Sequence, residues 1–271
     1  MCIIADEVRR VAGTKLFVMP SADGRRQITV YSNKVDTPGS NVMCLPVPNP
    51  STISFETVYK ELFDDCARSF SYPVLRSLYA SLGTESPSLY LPVQSHGSYK
   101  VVLAPTLDDL DRVPPGFLTL SDDVKRYLRA NYSGRAAPFG VLLCKLRAGA
   151  IDYEPFAYSH AMLLSGELFI PTRHYHGGSH SYDLVSDSDA DDWDHEVYTI
   201  LTPTEIAHTK SGRIPMATNR VDWGQMPVAY RHGCRFPMCL FERIGRGPNE
   251  DLMFLLAAPT VGIPRSVQTT S

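Results

Sequence analysis

Long apolar runs are missing from this 271-residue chain. The longest uncharged apolar stretch, Leu252 to Pro264, has 13 residues and contains two prolines. A membrane-spanning helix needs about 20, so no membrane association is expected. The first residues, Met1-Cys2-Ile3-Ile4-Ala5-Asp6-Glu7, lack the basic segment and apolar core of a signal peptide. The expectation is a cytoplasmic or other intracellular compartment. An excess of positive charge is also lacking, with 26 Lys and Arg against 29 Asp and Glu and a pI near 6.2. That removes the electrostatic basis for a nucleic-acid partner. No C-x-x-C, P-loop, G-x-G-x-x-G, G-x-S-x-G or H-E-x-x-H occurs. ATP, dinucleotide, serine-esterase and zincin chemistry therefore lose their usual signatures.

Hydrophobic residues make up 44% of the chain and charged residues 20%, an ordinary globular balance. No linker or fixed-period repeat stands out. A single domain over residues 1–264 is expected, with a waist near 133–138 and a frayed tail at 265–271. Six cysteines lie at 2, 44, 66, 144, 234 and 239. Without a secretory context they read as thiols. Cys44, Cys66 and Cys144 sit in apolar runs and read as small buried hydrophobes. Cys234, Cys239 and His232 lack the spacing and fourth ligand of a structural zinc site.

Lys15–Met19 and Gln27–Tyr31 read as a hairpin around Ser21-Ala22-Asp23-Gly24. Val42–Val47 reads as a strand stopped by prolines. Ser54 is positioned to cap a helix whose face carries Phe55, Val58, Tyr59, Leu62, Phe63 and Cys66, with a Glu56–Lys60 pair opposite. Leu89–Val93 and Tyr99–Ala104 form a second strand pair around His96-Gly97. Ser121 caps a helix to about Tyr132, with Val124, Tyr127 and Leu128 inward. Phe139–Leu146 is a buried strand. Leu168–Ile170, Val197–Leu201, Pro237–Arg243 and Leu252–Leu256 complete the set, the last two flanking the turn signal at Gly245–Asn249. Strands outnumber helices without alternating with them. The fold class expected is α+β, with a largely antiparallel sheet and two or three packed helices.

Several segments in order resemble a bacterial family of uncharacterised, mostly exported proteins classed as a domain of unknown function. They are Cys2, Cys44-Leu45-Pro46-Val47-Pro48, Gly97 to Leu103, Asn131-Tyr132, Phe139 to Leu146, Glu154 to Ser159 and Leu168-Phe169-Ile170-Pro171-Thr172-Arg173. The resemblance implies a sheet-rich architecture and assigns no catalytic residue. The chain departs from it in lacking an export signal and in carrying a His- and Asp-rich insert.

Two constellations carry chemistry. Removal of Met1 would leave Cys2 as the terminal residue, joining a thiol nucleophile to an α-amine base. That is the logic of an N-terminal nucleophile amide hydrolase, with Asn41, Asn219 and Arg220 as donors of the right type for an oxyanion. The opposing reading makes Cys2 a bystander thiol on a first strand. The second constellation is the insert, where four of the eight histidines fall between 174 and 195. His174 and His176 face one side of an extended chain, and Asp194 or Asp192 can join them around Zn²⁺. Asp187, Asp189 and Asp191 begin like an EF-hand, but Asp192 and Tyr198 stand where Gly and Glu are required. A looser Ca²⁺ loop stays open, as does a solvated acidic loop without metal. No cofactor is called for beyond that choice of Zn or Ca.

Three strand ends, carrying His160, Arg173 with His174, and His195, are expected to form a rim that binds a small-molecule or peptide ligand. Three functions stay open: a cysteine-dependent amide hydrolase using Cys2, a non-catalytic binding or assembly protein, and a metal-binding protein. Oligomeric state is not legible.

Overall fold

The computed structural model describes residues 2–70, 90–164, 166–176, 193–200, 216–245 and 251–256. Two long strands, β2 (Arg10–Pro20) and β3 (Arg26–Thr37), pair antiparallel. The turn between them is the one expected from Ser21–Gly24. Ser21 Oγ donates to Asp23 Oδ1 at 2.6 Å. Gly24 takes φ 68°, which a residue with a Cβ adopts only at a cost.

The β2–β3 pair sits inside an eight-stranded sheet. On one side β3 pairs with β9 (Gly149–Asp152) and β10 (Phe156–Ala161), and β10 pairs with β5 (Ser54–Glu56). On the other side β2 pairs parallel with β13 (Trp193–Ile200), followed by β15 (Met238–Gly245) and β14 (Met216–Ala217). A six-stranded sheet contains β1 (Cys2–Ile4), β4 (Asn41–Pro48), β6 (Val93–His96), β7 (Tyr99–Ala104), β8 (Phe139–Leu146) and β12 (His174–His176), in the order β12-β1-β4-β8-β7-β6. β11 (Glu167–Ile170) and β16 (Leu252–Leu255) pair as a separate two-stranded ribbon whose Leu168, Phe169, Ile170 and Phe254 are buried in the main core. Pairing is antiparallel except at β1–β12 and β2–β13. Among the described residues there are two α-helices, α1 (Leu62–Ser69) and α2 (Asp122–Tyr132). The class is therefore α+β with mostly antiparallel sheets. No helix among the described residues is long and apolar enough to cross a membrane.

Alternation along β2 sets the layers. Leu16 and Val18 face the six-stranded sheet and share one core with Val42 to Val47 of β4 and Val141 to Leu146 of β8. Beyond them Val124, Leu128 and Tyr132 of α2 close the same core. Phe17 and Met19 point the other way, onto Leu62, Phe63 and Cys66 of α1. Strands β4 and β8 are covered on both faces, which explains their near-continuous apolar sequences. The edges of the two sheets meet where Phe55 of β5 stacks on His96 of β6, with ring centroids 3.9 Å apart. Residues 133–138 connect α2 directly to β8, and both elements belong to one core.

Four sequence readings change. The helix expected from Ser54 begins only at Leu62; Ser54–Glu56 is instead the strand that β10 requires at its edge. Glu56 does not pair with Lys60, because its Oε1 accepts from Ser159 Oγ at 2.6 Å. Sheet pairing has overridden a helical pattern there, although Leu62, Phe63 and Cys66 are buried as the pattern asked. Pro46 lies within β4, which ends at Pro48. β1 covers only Met43 and Cys44, so the proline end is an edge where a missing N–H is tolerated. The first strand of the second hairpin is β6, shifted past Leu91 and Pro92; Leu89 lies outside the described residues. Finally, β15 and β16 flank a turn in sequence but join different sheets. Ser121 caps α2 as expected, its Oγ accepting from the Val124 amide at 3.3 Å.

Candidate functional site

Strand β1 lies between β4 and β12. Its register places Cys2 opposite His174, Ile3 opposite Tyr175 and Ile4 opposite His176 on the parallel side. The two constellations read separately in the sequence are thus neighbours: the Cys2 backbone abuts the start of the His-containing segment. His174 to His176 form a strand rather than the loop expected, and residues 177–192 lie outside the described residues. Two devices fix β12 in place. Tyr127 of α2 donates its hydroxyl to the His174 carbonyl at 3.1 Å, and its ring packs on Tyr175 at 4.4 Å.

His195 on β13 belongs to the other sheet, and its ring meets His174 edge-on with centroids 6.1 Å apart. The contact bridges the sheets. His195 is 1% exposed, so it faces protein rather than an open cleft. Arg173 is turned inward too: its side chain is 14% exposed, and its Nε lies 3.7 Å from Asp251 Oδ2. Of the rim residues expected, Arg173, His174 and His195 gather beside β1. His160 is elsewhere. It sits in β10, 1% exposed, with Nδ1 2.8 Å from the Ala161 carbonyl and its ring stacked on Tyr158. Burial pushes its imidazole down to about 4, so it is neutral at pH 7 and structural in its contacts.

Asp251, at the start of β16, was not singled out in the sequence. Its side chain is 1% exposed. Tyr132 donates to Oδ2 at 2.9 Å, the Arg173 amide donates to Oδ1 at 3.1 Å, and Arg135 Nη2 stands 3.8 Å from Oδ2. Burial pushes the carboxyl above its ordinary range, against the pull of the Arg173 amide and the guanidiniums. Arg135 also lies over the rings of Tyr132 and Phe139. Asp251 follows the turn signal at Gly245–Asn249 in the sequence, so nothing local marks it as buried.

Burial raises the thiols of Cys44, Cys66 and Cys144 far above their ordinary value, so none of the three is a ready nucleophile. The side chains of His176 and Asp194, two of the three expected metal ligands, lie outside the described residues. Among the described residues no three His, Cys, Asp or Glu side chains group closely enough to hold a metal ion, the set of His232, Cys234 and Cys239 included. Asn41, one of the oxyanion candidates, has its amide committed to protein: Oδ1 accepts from the Asp6 and Val42 amides, and Nδ2 donates to the Glu7 carbonyl. Asn219 Nδ2 donates to the carbonyls of Gly233 and Phe236. Neither is placed as a free donor beside β1.

No family model matches the chain, and no curated protein matches its sequence. Its fold does have solved counterparts. The crystal structure of baculovirus P35 is similar with a TM-score of 0.54 at 12% sequence identity, over 95% of this chain and 100% of that one. A mutated baculovirus P35 solved after caspase cleavage is similar with a TM-score of 0.50 at 10% identity, over 90% and 99% of the two chains. At such identities the likeness is one of fold alone: this chain shares the architecture of baculovirus P35 across nearly its whole described length.

Proposed function

We propose that this chain is a non-catalytic binding protein that engages a protease of the caspase class and is cut by it. The observation that carries this reading is the likeness of fold to baculovirus P35 over that protein's entire length, together with the P35 form solved after caspase cleavage. The site geometry agrees with a binding role. Arg173 is engaged by Asp251, His195 is enclosed, and the internal thiols are held protonated. The partner is a protein.

The test is direct. The purified chain is incubated with initiator and executioner caspases; intact mass reports cleavage and size exclusion reports complex formation. One discrete cut with co-elution is expected. An intact chain that elutes alone from every caspase overturns the reading.

A second reading, the Cys2 amide hydrolase, is favoured by one observation: the register that sets Cys2 against His174. It requires Met1 to be absent and the Cys2 thiol to be open. Peptide mapping after brief iodoacetamide treatment decides it, since a retained Met1, or labelling only after denaturation, removes the required nucleophile and base.

A further inference from the structure

The Asp251 carboxylate joins three pieces of chain that no sheet pairing joins. The end of α2 reaches it through Tyr132 and the following Arg135. The turn between β11 and β12 reaches it through the Arg173 amide and guanidinium. The third piece is the start of β16, which carries Asp251, and there the Leu252 amide donates to Thr172 Oγ1 at 3.0 Å. Beyond this knot, Phe254 of β16 and Leu168 to Ile170 of β11 are seated in the core shared with β4 and β8, while the backbone restraints are few. Among the described residues β16 pairs with β11 alone, and β12 holds β1 through three parallel positions at the end of its sheet. A three-residue parallel pair is a weak attachment. Tyr127 adds a hold on β12 through the His174 carbonyl and the Tyr175 ring, and His174 meets His195 of β13.

We propose that Asp251 is a latch: it holds β12 and the start of β16 together as one unit against the end of α2, which itself stays packed in the core, and that unit opens separately from the sandwich and in opening uncovers the β1 edge that carries Cys2. A carboxylate out of water is held only while its donors stay in place. Loss of one piece therefore loosens the others together. The β4–β8 core keeps its own packing and hydrogen bonds throughout. The proposal does not depend on protease engagement, and its test uses no protease.

Hydrogen exchange read by mass spectrometry tests it on the full chain. Peptides covering 172–176 and 252–256 report the unit, and one covering 141–146 reports the core. Asp251→Asn should speed exchange in both reporters by more than about tenfold and leave 141–146 at the wild-type rate. Tyr127→Phe should speed 172–176 more than 252–256, because its hydroxyl bonds the His174 carbonyl and also faces the Arg173 side chain. Tyr132→Phe removes one hydrogen bond, keeps every charge, and should repeat the Asp251→Asn pattern at smaller amplitude, so the idea stays testable if Asp251→Asn fails to fold. Reporters that exchange in the wild type like an open loop overturn the latch. Variants in which 141–146 accelerates in step with the reporters overturn it too, since the carboxylate would then support the whole core.

Discussion

His160 gives the chain a stability that acid removes. The imidazole is enclosed in β10 and resists protonation until about pH 4, whereas in the unfolded chain it takes a proton near its ordinary value of about 6.5. Between those two pH values the unfolded state holds more protons than the folded one. Stability therefore falls as pH drops through this window and is fully present above it. The gap is about 2.5 units, and at about 1.4 kcal/mol per unit the loss reaches roughly 3 kcal/mol by pH 4. His160→Gln removes the titrating group and should flatten that part of the profile. Urea unfolding of both proteins at steps between pH 7.5 and 4 measures it. The quantity to compare is the pH slope, because the variant also alters packing at every pH. His96 and His232, whose imidazoles burial also pushes down, are present in both proteins and cancel in the difference. Parallel profiles for the two would refute the assignment of His160 as a buried neutral side chain.

Leu62 is fully buried at the start of α1, so Leu62→Ala should cost about 2–5 kcal/mol through the cavity it leaves. Lys60→Ala, in the turn before the helix, should stay within roughly 0.5 kcal/mol by the same chemical denaturation. Gly140 lies where β8 passes Pro50 and the end of β7: a Cβ there would stand 2.5 Å from the Ala104 carbonyl oxygen and 2.7 Å from the Pro50 Cβ. Gly140→Ala should therefore lower stability by about 1–3 kcal/mol or more, read as a drop in Tm; an unchanged Tm would mean the two strands approach less closely than described.

Elements with a local signature were legible in the sequence. The β2–β3 turn, the Ser121 cap and the apolar runs of β4 and β8 each rest on neighbours within a few residues, and each is where the pattern put it. The errors share a different origin. Phe55, Val58 and Tyr59 fit a helix by spacing, but β10 recruits Ser54–Glu56 across about a hundred residues of chain. No local preference reports that demand. The site divides in the same way. His174 and Cys2 could be suspected singly from residue type, yet their adjacency is a property of β-sheet register. Asp251 was hidden because its burial depends on Tyr132, Arg135 and Arg173, three residues distant in sequence that converge only after the layers pack. His160 looked like a rim residue because it ends an apolar strand, but β3 pairs with that strand through His160 to Ala161 and the side chain is enclosed.

The parallel pairing of β2 with β13 has a consequence for how the chain is made. Thr199 of β13 donates to the Val18 carbonyl across a separation of 181 residues. During synthesis β2 and β3 emerge early and can form their hairpin at once. The outer edge of β2 then has no partner until residues 193–200 leave the ribosome. Through that interval it presents unpaired N–H and C=O groups along a strongly apolar strand, the kind of edge on which other chains can template. Closing so long a loop is also slow, because its entropy must be overcome before the pairing returns anything. Fragments ending before residue 193 therefore keep the open edge permanently and should aggregate, while the full chain escapes by completing β13.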